Sequence, residues 1–167
     1  MMMSKSELML RAQQYAQRYG LTVGEQLGLG VHDTVFVAES QQEPGRSAIK
    51  VHERQTSYSR ERDVYLRLQE HAVTRIHGCN VPQLLRYDDE LWVIEMAVVR
   101  RPFVLDFAGA YLDSPPDYPE ETLAEWRAEK QDQFGDRWAD VESILWSLEQ
   151  YRIYLSDVSP GNVAFGD

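Results

Sequence analysis

A single cysteine, Cys79, stands in a chain of 167 residues, so no internal disulfide can form and no cysteine-built zinc cluster exists. No apolar run approaches the roughly 20 residues needed to cross a bilayer, and the start, Met1-Met2-Met3, lacks the apolar stretch of a secretory signal. Positive charge is scarce. There are 17 Lys and Arg against 27 Asp and Glu, for a formal charge of -10, whereas proteins that coat phosphate backbones carry basic residues in excess. Nucleic acid and membrane are therefore excluded as expected partners, and a cytoplasmic location is expected. The acidity is local: from Asp113 to Asp140, nine Asp or Glu face only Arg127, Lys130 and Arg137, the composition of a solvated face. What remains is ordinary for a globular chain, with 43% hydrophobic and 26% charged residues, enough for one domain with a helical extension.

Periodicity divides the chain. Leu8, Ala12, Tyr15 and Tyr19 form a helical stripe between Ser4 or Ser6, which can cap its start, and Gly20, which can end it. Leu21 to Leu29 and Thr34 to Glu39 read as a hairpin, and Ser47 to His52 as a third short strand. Thr56 to Glu70 reads as a helix with Glu61, Tyr65 and Leu68 on one side. Val81-Pro82 breaks the chain, after which Leu84 to Tyr87 and Leu91 to Val98 read as two strands joined at Asp88-Asp89. The second is nearly unbroken in hydrophobicity, as in a strand buried on both faces, with Glu95 its one polar interruption. Ser114 to Pro119 is a loop with three prolines, Glu120 to Phe134 an acidic helix, and Trp138 to Tyr151 a helix with an apolar stripe at Trp138, Val141, Leu145 and Leu148. Tyr154-Leu155 and Val163 to Phe165 read as short extended pieces flanking a loop from Asp157 to Asn162.

Four places carry chemistry. Gly28-Leu29-Gly30-Val31-His32-Asp33-Thr34-Val35 lets a backbone approach a ligand where no Cβ intervenes; the same residues also make a plain hairpin turn. Lys50 sits among Ala48, Ile49 and Val51, where an unpaired charge is costly, unless the strand is an edge and the side chain snorkels to water. Glu61, eleven residues on, shares a helix face with Tyr65 and Leu68 and, if buried there, needs a cation; Arg60 and Arg62 allow a surface salt bridge instead. Asp157-Val158-Ser159-Pro160-Gly161-Asn162-Val163 sets an aspartate five positions before an asparagine and then an apolar strand.

From about Leu27 to Phe165, this order of elements and motifs resembles the protein-kinase-like superfamily, in its compact atypical and small-molecule-kinase branches. The resemblance implies an α+β fold: a kinase-like small lobe of antiparallel sheet plus one helix at 21–98, preceded by a helix at 1–20 and followed at 99–167 by a partial, mainly helical large lobe. It implies ATP and Mg2+ as cofactors. Gly28, Gly30, Val35 and Ala48 would line the nucleotide, and Lys50 would hold its phosphates, oriented by Glu61. The backbones of Glu95 and Ala97 would meet the base, with Ile94 behind it. Asp157 would accept the proton of the substrate hydroxyl, and Asn162 would help hold magnesium. Leu155 and Ser156 replace the residues that usually precede the aspartate, and Asp33 replaces the third glycine of the loop, which brings a carboxylate toward anionic phosphates.

One part of the pattern is missing where the resemblance places it. The Asp-Phe-Gly aspartate, the main magnesium ligand, belongs about a dozen residues beyond Asn162, and Asp167, five residues on, comes too soon to take that role. If Asp167 is the natural end, the expectation is a degenerate module, a pseudokinase; if the chain continues, its parent is an active transferase. The alternative is a non-catalytic interaction module that uses the fold without nucleotide and meets a basic partner through the acidic helix. The apolar stripe of Trp138 to Tyr151, which other helices cover in a full large lobe, predicts self-association or a companion chain.

Overall fold

The computed structural model describes residues 2–29, 33–156 and 158–166. In chain order the elements are α1 (Lys5–Tyr19), β1 (Leu21–Leu29), β2 (Asp33–Ser40), β3 (Arg46–His52), α2 (Gln55–Glu70), β4 (Arg75–Ile76), β5 (Cys79–Asn80), β6 (Leu84–Asp88) and β7 (Val93–Ala97). They continue with β8 (Phe103–Val104), β9 (Ala110–Leu112), α3 (Glu120–Phe134), a 3-10 turn at Gly135–Arg137, α4 (Trp138–Glu149), β10 (Ile153–Leu155) and β11 (Val163–Ala164). The fold is mixed α+β, as expected. Among the described residues no helix is long and apolar enough to cross a membrane.

α1 begins where Ser4 and Glu7 satisfy each other's free amides: Ser4 Oγ accepts the Glu7 N–H at 3.3 Å and Glu7 Oε2 accepts the Ser4 N–H at 2.6 Å, a reciprocal capping box. It ends at Gly20 with φ 68°, a left-handed position that costs glycine no Cβ clash. Between them the helix buries Leu8, Ala12, Tyr15 and Ala16 against Phe36, Ala38, Ile49, Val51 and Val93 on one face of a five-stranded sheet. That sheet runs in the order β1-β2-β3-β7-β6 with every neighbour antiparallel.

Alternation along β3 sends Ile49 and Val51 to the α1 face and Ala48, Lys50 and His52 to the other. α2 covers that second face with Tyr58, Glu61, Val64, Tyr65 and Leu68. Glu95, the polar interruption of β7, is satisfied on the α1 side: Tyr15 Oη donates to its Oε2 at 2.7 Å and Ser47 Oγ to its Oε1 at 2.9 Å. Burial, together with that carboxylate, pushes the Tyr15 phenol well above its ordinary value, so it stays a donor.

β7 is shorter than its hydrophobic run. Asp88 Oδ1 accepts the N–H groups of both Glu90 and Leu91 at 3.0 Å, which folds the chain into a turn. The turn carries Trp92 at φ 54°, and the strand starts only at Val93.

The remaining strands are two or three residues long. They form the sheets β11-β8-β5-β4 and β10-β9. The β4–β5 hairpin turns through His77 and Gly78, at φ 47° and 78°, the positive pair that a tight two-residue turn requires.

α4 is more enclosed than its sequence suggests. Val141, Ile144 and Leu148 are fully buried in one cluster with Leu68, Ile76, Cys79, Phe107 and Ile153, so Val141 and Leu148 of the expected stripe are covered within this chain, while Leu145 is only half-buried and borders a groove together with Trp138. Trp146, on the next face of the helix, is 64% exposed. It borders the same groove, of about 750 Å3 between α3 and α4, lined also by Tyr118, Leu123, Trp126 and Tyr154. α3 buries no residue fully; Trp126 and Phe134 pack half-buried against the core, and the Trp126 indole N–H donates to the Ser156 carbonyl at 3.1 Å.

Candidate functional site

Lys50 leaves the middle of β3 on the α2 face, and α2 presents Glu61 nearly two turns after its start at Gln55. The two meet: Lys50 Nζ lies 2.9 Å from Glu61 Oε1 and 3.1 Å from Oε2. Glu61 is completely buried, and each oxygen has a further partner. His52 Nε2 is 2.8 Å from Oε1, and the Phe107 N–H donates to Oε2 at 2.7 Å. Burial alone would raise the Glu61 carboxyl, but the Lys50 charge and the His52 hydrogen bond outweigh it and hold the group down at about 2. For Lys50, burial favours the neutral amine, yet Glu61, Asp106 and Asp33 overcome it and raise the ammonium well above its ordinary value. The result is a fixed buried cation.

Two more carboxylates reach the same ammonium. Asp106 Oδ1 stands 3.0 Å from it and Asp33 Oδ2 3.2 Å. Asp106 is held from both sides: Oδ1 also accepts the Ala108 N–H at 3.3 Å, and Oδ2 accepts from Asn162 Nδ2 at 3.3 Å. Its backbone is left-handed, φ 65°, a conformation that aspartate tolerates better than bulkier residues. Asp33 is 12% exposed at its side chain; burial pushes its carboxyl up, Lys50 opposes, and Asp106 and Glu61 add to the rise.

Two short pairings bring Asp106 to Asn162. β8 pairs antiparallel with β11, Val104 opposite Val163, and the Leu105 N–H donates to the Asn162 carbonyl at 2.7 Å. β9 pairs antiparallel with β10, Leu155 opposite Ala110, and Ser156 Oγ donates to the Gly109 carbonyl at 3.3 Å. Segments 103–112 and 153–164 are thereby zipped together. Asp106 is not among the residues that the sequence places at the site. Its signal is visible as Asp106-Phe107, with Gly109 two positions on, but it lies 56 residues before Asn162 rather than after it.

The other expected residues divide. Gly28, Val35 and Lys50 form one row across β1, β2 and β3, and Ala48 shares the Lys50 face two residues away. A Cβ on Gly28 would meet nothing within 4 Å, so space is open above it. Ile94 is fully buried behind Lys50, its pairing partner. Glu95 lies in mid-strand, paired to both β3 and β6, with its side chain on the opposite face. The Ala97 N–H is already given to the Gln83 carbonyl at 2.9 Å. Gly30 and Asp157 lie outside the described residues, as does Asp167.

The arrangement joins a buried, immobilised ammonium to a carboxylate–amide pair of hard oxygen donors, beneath a glycine-bearing hairpin. Such a set can take a phosphate and a small divalent cation together. No protein-family model matches this sequence, and the search of curated proteins finds no match.

Proposed function

We propose that the chain is a protein-kinase-like ATP-binding module with phosphotransferase chemistry. In this reading the five-stranded sheet with α2 is the small lobe, and α3, α4 and the short strands are a partial, mainly helical large lobe. One observation carries it: Lys50 is clasped between Glu61 and Asp106 while Asp106 is bonded to Asn162. Phosphoryl transfer asks the protein for positioning and charge neutralisation more than for covalent chemistry, and these four side chains supply both. Lys50 holds phosphate oxygens, Glu61 keeps it pointed at them, and Asp157 is assigned the proton of the acceptor hydroxyl.

Magnesium fits the residues present. Among the described residues no three His, Cys, Asp or Glu side chains form a metal cage, but Mg2+ commonly takes one or two carboxylates, retains waters and completes its shell with substrate phosphates. Asp106 and Asn162 would hold it, and it would neutralise charge on the transferring phosphoryl group. Asp106 therefore fills the role whose absence pointed to a degenerate module.

The test is thermal unfolding with ATP, with and without Mg2+. ATP at a hundredfold excess over its Kd stabilises the parent by about 2.7 kcal/mol, and Lys50→Met removes that shift. Asp157→Asn keeps the shift and stops phosphate release. No shift in the parent sinks the nucleotide reading.

That result would leave the second reading, interaction without nucleotide, which the groove beside Trp146 favours. Its occupant is a basic partner, because Glu142 and Glu149 outnumber Arg127 in the groove and α3, which forms one wall, carries Glu120, Glu121, Glu125, Glu129 and Asp132 against Arg127 and Lys130. The same acidity argues against two copies of the chain meeting through this face.

A further inference from the structure

Lys50 carries more carboxylates than its orientation requires. Glu61 alone, fixed by His52 and the Phe107 amide, holds the ammonium in place. Asp106 has a second engagement with Asn162. Asp33 has neither task. It stands at the first residue of β2, on the hairpin that carries Gly28, opposite His52 in the register and next to the Thr34–Val51 pair, and it reaches Lys50 from the hairpin side at 3.2 Å. In the proposed function that is the side on which phosphates lie, with the glycine-bearing hairpin above and the ammonium below.

We infer that Asp33 is a built-in competitor for the phosphate subsite, its carboxylate occupying on Lys50 the place that a nucleotide phosphate takes. The inference rests on the nucleotide-binding reading and adds to it a residue that sets affinity. A carboxylate and a phosphate oxygen make the same charge-assisted contact with an ammonium, so they exclude each other at one position. Only the fraction of molecules with Asp33 withdrawn is competent to bind, and the apparent affinity falls by that fraction. Asp33 is suited to leave: unlike Glu61, its side chain has an exposed edge, and unlike the more exposed Asp106, it has no second anchor among the described residues. Glu61 is anchored by the Phe107 amide and His52, and Asp106 by the Ala108 amide and Asn162; among the described residues, Asp33 is tied to the site through Lys50.

Isothermal titration of tripolyphosphate and of ATP, both free of divalent metal, tests this on the parent, Asp33→Asn and Asp33→Ser. Both substitutions are expected to tighten binding about tenfold, the value of a hydrogen bond to a charged group. Asp113→Asn, an equal change of charge at a carboxylate that meets Arg67 away from the site, is expected to leave affinity unchanged. Three results overturn the inference. If the parent binds and the Asp33 variants bind equally or more weakly, Asp33 is no competitor and the nucleotide reading stands. If Asp113→Asn gives the same gain, the effect is net charge alone. If neither the parent nor any Asp33 variant binds either probe, the nucleotide reading fails and takes this inference with it.

Discussion

Replacing Lys50 with methionine is expected to cost about 3–5 kcal/mol of folding stability, the range for removing one partner of a buried pair. The cost comes chiefly from the charge left behind. Glu61 is fully buried, and without Lys50 its carboxylate keeps only His52 and one amide. The double variant Lys50→Met/Glu61→Gln removes the stranded charge and is expected to recover about 2–3 kcal/mol, a coupling of the size seen for residues in one network. Glu61→Gln alone should cost less than Lys50→Met, because Asp33 and Asp106 still face the ammonium. Urea denaturation of the four proteins measures the cycle; additive losses would mean that the two side chains do not depend on each other.

Acidity gives the same network a sign. Glu61 is held at about 2 against an ordinary 4.5, so the folded state releases its proton more readily than the unfolded chain does. Its contribution is complete above about pH 4.5 and is lost as the pH falls toward 2. The gap between the parent and Lys50→Met should therefore narrow as the pH falls, starting above 4.5, where the stranded carboxyl of the variant takes up its proton, and continuing until the parent loses its own contribution toward pH 2.

Much of this fold can be read from residues close together in the chain. Ser4, Glu7 and Gly20 mark α1 because caps are local chemistry. Lys50 and Glu61 can be paired before any coordinates because each sits in an apolar pattern that makes an unpartnered charge expensive. Other features depend on distant parts of the chain. Tyr15 and Glu95 meet across 80 residues, and nothing local in either segment announces the other. β4, β5, β8 and β9 are two or three residues long, too short for alternation to register, yet they cover α4 and set Asp106 against Asn162. The resemblance expects a carboxylate downstream of the asparagine, whereas the carboxylate that strand pairing sets against Asn162 comes from upstream. The chemistry is legible as residue types; the order in which the chain supplies them is not.

Asp106→Asn is the sharpest test of that reordering. Asparagine has the same shape and can still accept from Ala108 and meet Asn162, and Lys50 keeps Glu61 and Asp33, so stability should change by no more than about 1 kcal/mol. Function should respond far more. If Asp106 and Asn162 hold the cation, the neutral amide removes the only carboxylate of that pair, and the strengthening of ATP binding by Mg2+ should disappear. Phosphate release should fall at least ~100-fold, as when a preorganised group that meets transition-state charge is lost. Metal-free ATP should bind as well as before or better, since one negative charge has left the vicinity of Lys50. That split separates a cation ligand from a structural aspartate, whose removal would weaken both forms of the nucleotide alike. Asp157→Asn supplies the contrast: it should preserve the Mg2+ effect on binding and abolish release. If Asp106→Asn keeps the Mg2+ effect, the cation is held elsewhere, and the pairing of β8 with β11 serves only to close the core.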